Sequence, residues 1–416
     1  MKDEFGRADY IKITIYGFAL TALWSSLHSI VLPLRLLDLV SEAEKNSRLG
    51  LLTFAGLLLA MIVQPIAGAI SDRSGFRWGR RRPYILIGSL IGSLLLPGIG
   101  LFHSYILLFI IYCLLQMSTN TAQGPYQAFI PDLVPQDRKG LASGVKSLLE
   151  IIGGIAIVRI IGYFMSNYTP GEGTLWLWLV LVVLAAVLLG AMLATLIMVK
   201  EPSGRTDTAQ LPVWKVLARS FRLDVRADRD FIIFIVSRLL IFMALATIQT
   251  FALFYLKDVI GLANPATATA DLLIAAGVGM LLAVYPAGRL SDRVGRRPVV
   301  ISSGLLGAGG ILVIFWASSY SVVIIGGAII GVATGAFMSS NWALATDLVP
   351  GGEGARYLGL ANVATAGGAA LARLIGPVID YFNRYGAGLG YQVMLGTCFV
   401  YFIVGSLLLL LIKERR

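Results

Sequence analysis

Glu150 stands four residues after Lys146 inside a long apolar run. An isolated ionised carboxylate in such a medium is costly, so Glu150 either pairs with Lys146 or has a raised pKa and takes up a proton. Asp132 lies nearer the polar end of the preceding run, and these two acids are the candidates for proton coupling. Gln116, Asn120, Gln123 and Gln127 recur at intervals of four, three and four, which puts four amides on one helix face. Amides donate and accept, so the stripe suits a neutral, hydroxyl-rich ligand, or it bonds neighbouring helices. Trp24 and His28 sit one helical turn apart, an indole face beside a titratable ring. Arg159, Arg238 and Arg373 also interrupt apolar runs, and guanidinium groups there suit a carboxylate or phosphate. Gln249, Asn341 and Asn362 complete the candidates for a solute cavity.

The elements that position these groups must be membrane helices. The chain has 416 residues, 57% of them hydrophobic and 14% charged, with a mean hydropathy of +0.80, too apolar for a soluble globular protein. Hydrocarbon about 30 Å thick needs roughly 20 apolar residues per helix, and about twelve such stretches can be placed. They include Ile11 to Leu37, Leu49 to Ile70, Pro83 to Leu101 and Ile106 to Ile130. Backbone groups find no water in the bilayer core, and the alternation of a membrane barrel is absent, which leaves helices.

The net charge of +11 is one-sided. With a cytoplasmic N-terminus, the same side collects Arg7, Lys12, the arginines of two short loops, a basic linker and the C-terminal Lys413, Arg415 and Arg416. Membrane topology explains the charge, and no basic patch with interleaved aromatics points to nucleic acid. Both termini are expected in the cytoplasm, and the first apolar stretch is expected to remain as the first helix. Cys113 and Cys398 are far apart and form no disulfide framework. No phosphate-binding loop, metal cluster or hydrolytic triad is present, so neither an enzyme nor a cofactor is expected. Energy for any transport must then come from a gradient.

The chain also repeats itself. Gly68, Asp72, Arg73, Gly79, Arg80 and Arg81 precede Pro83; Gly288, Asp292, Arg293, Gly295, Arg296 and Arg297 precede Pro298. Pro83 and Pro298 are 215 residues apart, as are Asp132 and Asp347. Residues 1–200 and 230–416 read as two six-helix halves, joined by a basic linker at 201–229 that either lies on the membrane surface as a helix or runs through solvent. Gly327, Gly331 and Gly335 fall on one face of the tenth helix, which suits close helix approach.

The paired loops resemble the signature of the major facilitator superfamily. Arg77 to Gly88 is similar to the matching loop of glycoside–pentoside–hexuronide cation symporters. Asn120 to Pro125, with Ala128 to Leu133, resembles the fourth helix of the sucrose/proton symporters within that group. The resemblance implies twelve transmembrane helices in two pseudo-symmetric bundles with a cavity at mid-depth. It implies proton-coupled symport of a sugar or glycoside by alternating access, with the signature residues as a conformational gate and Asp132 tied to proton coupling. It departs near Leu141, where those symporters carry an arginine. The second helix lacks the acids of sodium-coupled melibiose-type relatives, which favours protons. The arginines within apolar runs keep open a carrier or exporter of an organic anion or drug-like compound. The expected partners are a small solute, protons and the lipid bilayer of the cell membrane, with the chain acting as a monomer.

Overall fold

The computed structural model describes residues 6–171, 174–201, 228–348 and 354–412, and among them there is no strand. Among the described residues twelve helices are long and apolar enough to cross a bilayer. They are α1 (Arg7–Leu36), α2 (Lys45–Asp72), α3 (Arg82–Leu101), α4 (Tyr105–Leu133), α5 (Gln136–Met165), α6 (Leu175–Met198), α7 (Arg229–Asp258), α8 (Pro265–Val294), α9 (Arg296–Phe315), α10 (Tyr320–Leu348), α11 (Tyr357–Asn383) and α12 (Leu389–Leu411). The molecule is a multi-pass integral membrane protein. The linker expected at 201–229 falls almost wholly outside the described residues, as do Lys413, Arg415 and Arg416.

Chain chemistry sets where these helices begin, bend and end. Pro83 and Pro265 occupy the first turns of α3 and α8, where a missing N–H costs nothing. Pro125 lies inside α4, and the regular helix gives way three residues later at Ala128, with φ −87° and ψ 0°. Asp132 is carried on the short turn Phe129–Leu133 that follows. Gly79 (φ 116°) and Gly295 (φ 97°) take backbone conformations that side-chain-bearing residues avoid, which accounts for the glycine in each signature loop. In α1 a π-type turn spans Leu27–Val31, just ahead of Pro33, whose ring nitrogen cannot continue the hydrogen-bond ladder.

The chain divides into two compact units, Met1–Val40 with Ala55–Val213, and Ser41–Phe54 with Trp214–Arg416. Inside the first, α1 packs on α5 and α6, and α3 packs on α4 and α6. Inside the second the same pairings recur six helices on, α7 with α11 and α12, and α9 with α10 and α12. The repeat in the sequence is thus a repeat in packing. Small residues make the closest approaches. A Cβ on Gly331 or Gly335 would overlap the carbonyl oxygens of Ala276 or Met280, so these glycines seat α10 directly on the α8 backbone. Gly153 does the same for α5 against the Phe18 carbonyl of α1.

Candidate functional site

In the first unit the amide stripe of α4 is built into a hydrogen-bonded chain. Asn120 Nδ2 donates to the Gln116 carbonyl (2.8 Å) and to Gln116 Oε1 (3.0 Å). Gln116 Nε2 donates to the Tyr112 hydroxyl at 2.8 Å, and that hydroxyl shares a further 2.8 Å bond with His28 Nε2 of α1. His28 stacks on Trp24 with ring centroids 5.1 Å apart, and Trp24 meets Tyr112 edge to face. Gln116 and Asn120 are buried, Gln123 is half-buried, and Gln127 is exposed as the last residue before α4 breaks. The upper half of the stripe therefore belongs to this cluster and the lower half does not. His28 itself rides on the π-type turn, which widens α1 beside Tyr112.

Glu150 lies midway along α5, about 20 Å from its start at 1.5 Å per residue. Its carboxylate is 3.4 Å from Lys146 Nζ, and both side chains are partly exposed. Of the two alternatives open for Glu150, the structure contains the pairing. A Cβ on Gly17 of α1 would come within 2.8 Å of Glu150 Oε1, so the bare glycine lets the carboxylate approach the α1 backbone. Tyr126 crosses the same gap and donates to the Thr14 carbonyl at 3.0 Å, with Lys146 Nζ 5.8 Å from its ring centre.

Asp132 is engaged differently. Arg81 holds its Oδ2 through Nε (2.8 Å) and Nη2 (2.5 Å), Arg80 adds a third contact at 2.5 Å, and Arg81 Nη2 also reaches Asp72 at 2.8 Å. Asp72 ends α2 and Arg81 immediately precedes α3, so one buried guanidinium ties three helices through two carboxylates. Glu201, just past α6, accepts the backbone N–H groups of Arg81 and Arg82, each at 3.1 Å. Burial pushes its carboxyl above the usual range, partly offset by those N–H groups and by the arginines. Gly79 lies against the same side chain. Arg73 is exposed, and Gly68 faces Gly124 at ordinary contact distance. The second copy is simpler. Arg296 pairs with Asp347 (2.6 Å) and donates to the Ala343 carbonyl (2.8 Å), while Arg297 donates to the Leu410 carbonyl. Asp292 and Arg293 are exposed, and Gly288 faces Ser339.

In the second unit Arg238 of α7 donates through Nε to the Thr365 hydroxyl (2.8 Å) and the Ala361 carbonyl (3.2 Å) of α11, and through Nη1 to Asn341 Oδ1 of α10. Phe242 and Trp342 lie over its guanidinium, with ring centres 5.1 Å and 5.7 Å away. Gln249 and Asn362 are exposed and take no part in this cluster. Arg373 is buried at a 3-10 turn within α11 and donates to the Ala369 carbonyl, whereas Arg159 is exposed on α5. Their separation of 214 residues, one short of the 215-residue repeat, does not give them matching surroundings.

A family profile described as MFS/sugar transport protein matches residues 19–412, nearly the whole chain. The chain belongs to that family. It is 32% identical over 130 residues to the sucrose transport protein SUT1 of Oryza sativa, covering 26% of this chain and 23% of the relative. It is 23% identical over 312 residues to the glucuronide carrier protein homolog of Escherichia coli, covering 71% of this chain and 65% of that one. The matches thus span under a quarter of the rice protein's length and just under two thirds of the bacterial carrier's. A crystal structure of a D-xylose-proton symporter superposes with a TM-score of 0.75 at 17% identity, over 98% of this chain and 98% of that one. A crystal structure of the nucleoside transporter NupG gives 0.76 at 14% identity, over 98% of this chain and 99% of that one. These show the major facilitator fold.

Membership places these polar clusters in a chain of the MFS/sugar transport family. Two further clusters in this family member escape sequence reasoning. Arg35 is buried and donates to the Ile99 (3.0 Å), Gly100 (3.3 Å) and Phe102 (2.9 Å) carbonyls at the end of α3, with Asp38 at 2.7 Å as counter-ion. It caps the negative end of a helix. In the second unit Asp380 accepts from Asn46 Nδ2 (2.8 Å) and the Ser47 N–H (2.6 Å), and Asp258 accepts from Lys45 (2.8 Å) and the Tyr391 hydroxyl (2.6 Å). Tyr112 also went unread, although it extends the amide stripe by one turn.

Proposed function

We propose that the chain is a secondary active transporter that carries a sugar or glycoside together with a proton by alternating access. The observation that carries this reading is the chain His28–Tyr112–Gln116–Asn120 with Trp24 stacked on it, in a member of a sugar transport family. Hydroxyl and amide groups that both donate and accept suit a polyhydroxylated solute, and an aromatic face suits the apolar side of its ring. Glu150 is assigned as the coupling acid. It lies midway along α5 beside Lys146, and its side chain is partly exposed. Asp132, already committed to Arg80 and Arg81, is assigned to the gate with Asp72, Arg296 and Asp347. Residues 1–200 and 230–416 are taken as the two moving halves, joined by 201–229, in the cell membrane with both termini in the cytoplasm, and one chain as the working unit. Purified protein in liposomes, given an inward proton gradient, should accumulate a labelled member of a glycoside panel. Uptake of organic acids without any glycoside would replace this reading with the organic-anion carrier.

A further inference from the structure

Among the described residues the buried cations Arg35, Arg81 and Lys45 come with anions, and Arg238 does not. Arg35 has Asp38, Arg81 has Asp72 and Asp132, and Lys45 has Asp258. Arg238 is only 4% exposed, yet its protein partners are a carbonyl, a hydroxyl and an amide oxygen, all neutral. Its Nη2 bonds to no described residue. A guanidinium does not shed its proton in a protein, so the charge persists where charge is expensive. Beside it, Asn341 is fully buried; its Oδ1 accepts from Arg238, and its Nδ2 has no acceptor among the described residues. Among the described residues the cluster therefore has N–H groups left over and no oxygen bonded to them.

Depth adds to this. Arg238 is nine residues from the start of α7, Asn341 seven from the end of α10 and Thr365 eight from the start of α11. At 1.5 Å per residue all three lie about 10–14 Å from the same side, well inside a hydrocarbon layer about 30 Å thick. Trp342, which covers the guanidinium, is itself 41% exposed, so one side chain stands between the charge and the surface of its unit.

We propose that Arg238 anchors a carboxylate borne by the transported solute, so that the substrate is an acidic glycoside and not a neutral one. This rests on the sugar-transport reading above. The carboxylate supplies the missing anion, receives Arg238 Nη2 and, with a small rotation of its side chain, the Asn341 amide, while Phe242 and Trp342 keep water from the pair.

The test uses the full chain in liposomes and two solutes with the same aglycone, nitrophenyl glucuronide and nitrophenyl glucoside, which differ only by a carboxylate in place of a hydroxymethyl group. The expected result is binding and uptake of the glucuronide at least about tenfold better, the scale of one charge-assisted hydrogen bond. Arg238→Gln should bring the two solutes to near parity. Asn341→Asp gives the arginine an internal anion; it should unfold no earlier than the unaltered chain while losing the glucuronide preference by a similar factor. A preference for the glucoside, or an Asn341→Asp variant that keeps full glucuronide preference, overturns the proposal and leaves sugar transport standing. Binding of neither glycoside overturns both.

Discussion

Glu150→Gln is expected to separate transport from its driving force. Glu150 is the carboxylate at the middle of α5, and one titrating carboxylate moves one proton per cycle. A pH difference of one unit supplies about 1.4 kcal/mol, a tenfold concentration ratio, so roughly two units across clamped liposomes should sustain about 100-fold accumulation. Gln has nearly the same shape but no proton to exchange, and its solute should only equalise, at a ratio of about one. Folding should survive the change, because the Lys146 partner is 3.4 Å away and both side chains are 25–29% exposed, a setting where an ion pair contributes about 1 kcal/mol or less. The assay has two arms: steady-state accumulation under a proton gradient, and exchange of labelled for unlabelled solute with no gradient. Exchange should persist when accumulation is gone. If Glu150→Gln accumulates to the unaltered ratio, the coupling role is wrong; if it folds but loses exchange as well, Glu150 serves the solute and not the proton.

Asp132→Asn should behave in the opposite way, lowering the initial rate threefold to tenfold through the loss of about 1 kcal/mol of gate contacts to Arg80 and Arg81, yet reaching the same final accumulation. A lower final ratio would return Asp132 to the coupling step. Gly331→Ala puts a methyl group on the Ala276 carbonyl and is expected to destabilise by about 1–3 kcal/mol, seen as an earlier thermal unfolding transition. Gly367→Ala, where a Cβ meets nothing within 4 Å, is the matched control and should show no such loss. Glu201, whose carboxyl is raised by burial, favours its protonated form when folded. Its ionisation therefore costs stability above the raised folded pKa, and that cost is relieved as pH falls through it toward the unfolded value. Glu201→Gln should flatten this mildly acidic gain in unfolding temperature, and an unchanged pH profile would count against the assignment.

Much of the fold was legible because a membrane imposes periodicity and length directly on sequence. The spans near Ile11, Leu49, Pro83 and Ile106 each appear as a helix, extended by a few residues at one or both ends, and the offset that links Pro83 to Pro298 reappears as matched packing of α3 on α4 and α9 on α10. The amide face of α4 was legible for the same reason. What resisted reading were contacts whose partners leave no pattern. Arg35 is satisfied mainly by backbone carbonyls more than sixty residues away, and any residue type supplies a carbonyl. Lys45 and Asp258 are 213 positions apart with nothing local to couple them. Arg159 and Arg373 agree with the repeat offset to within one residue but differ in environment, because the 3-10 turn at Ala372–Ile375 buries Arg373 while α5 runs unbroken past Arg159. Arg238 could be named as a candidate, but its want of an anion is visible only once its neighbours are known.

The wider turn in α1 leaves a phase slip in that helix. A turn that closes with one surplus residue advances every later side chain by roughly 100° relative to an unbroken wheel. Drawn without the slip, the wheel would misplace Pro33 through Leu36 against Tyr16 and Gly17. With it, one helix can aim Gly17 toward Glu150, His28 toward Tyr112 and Arg35 toward the end of α3.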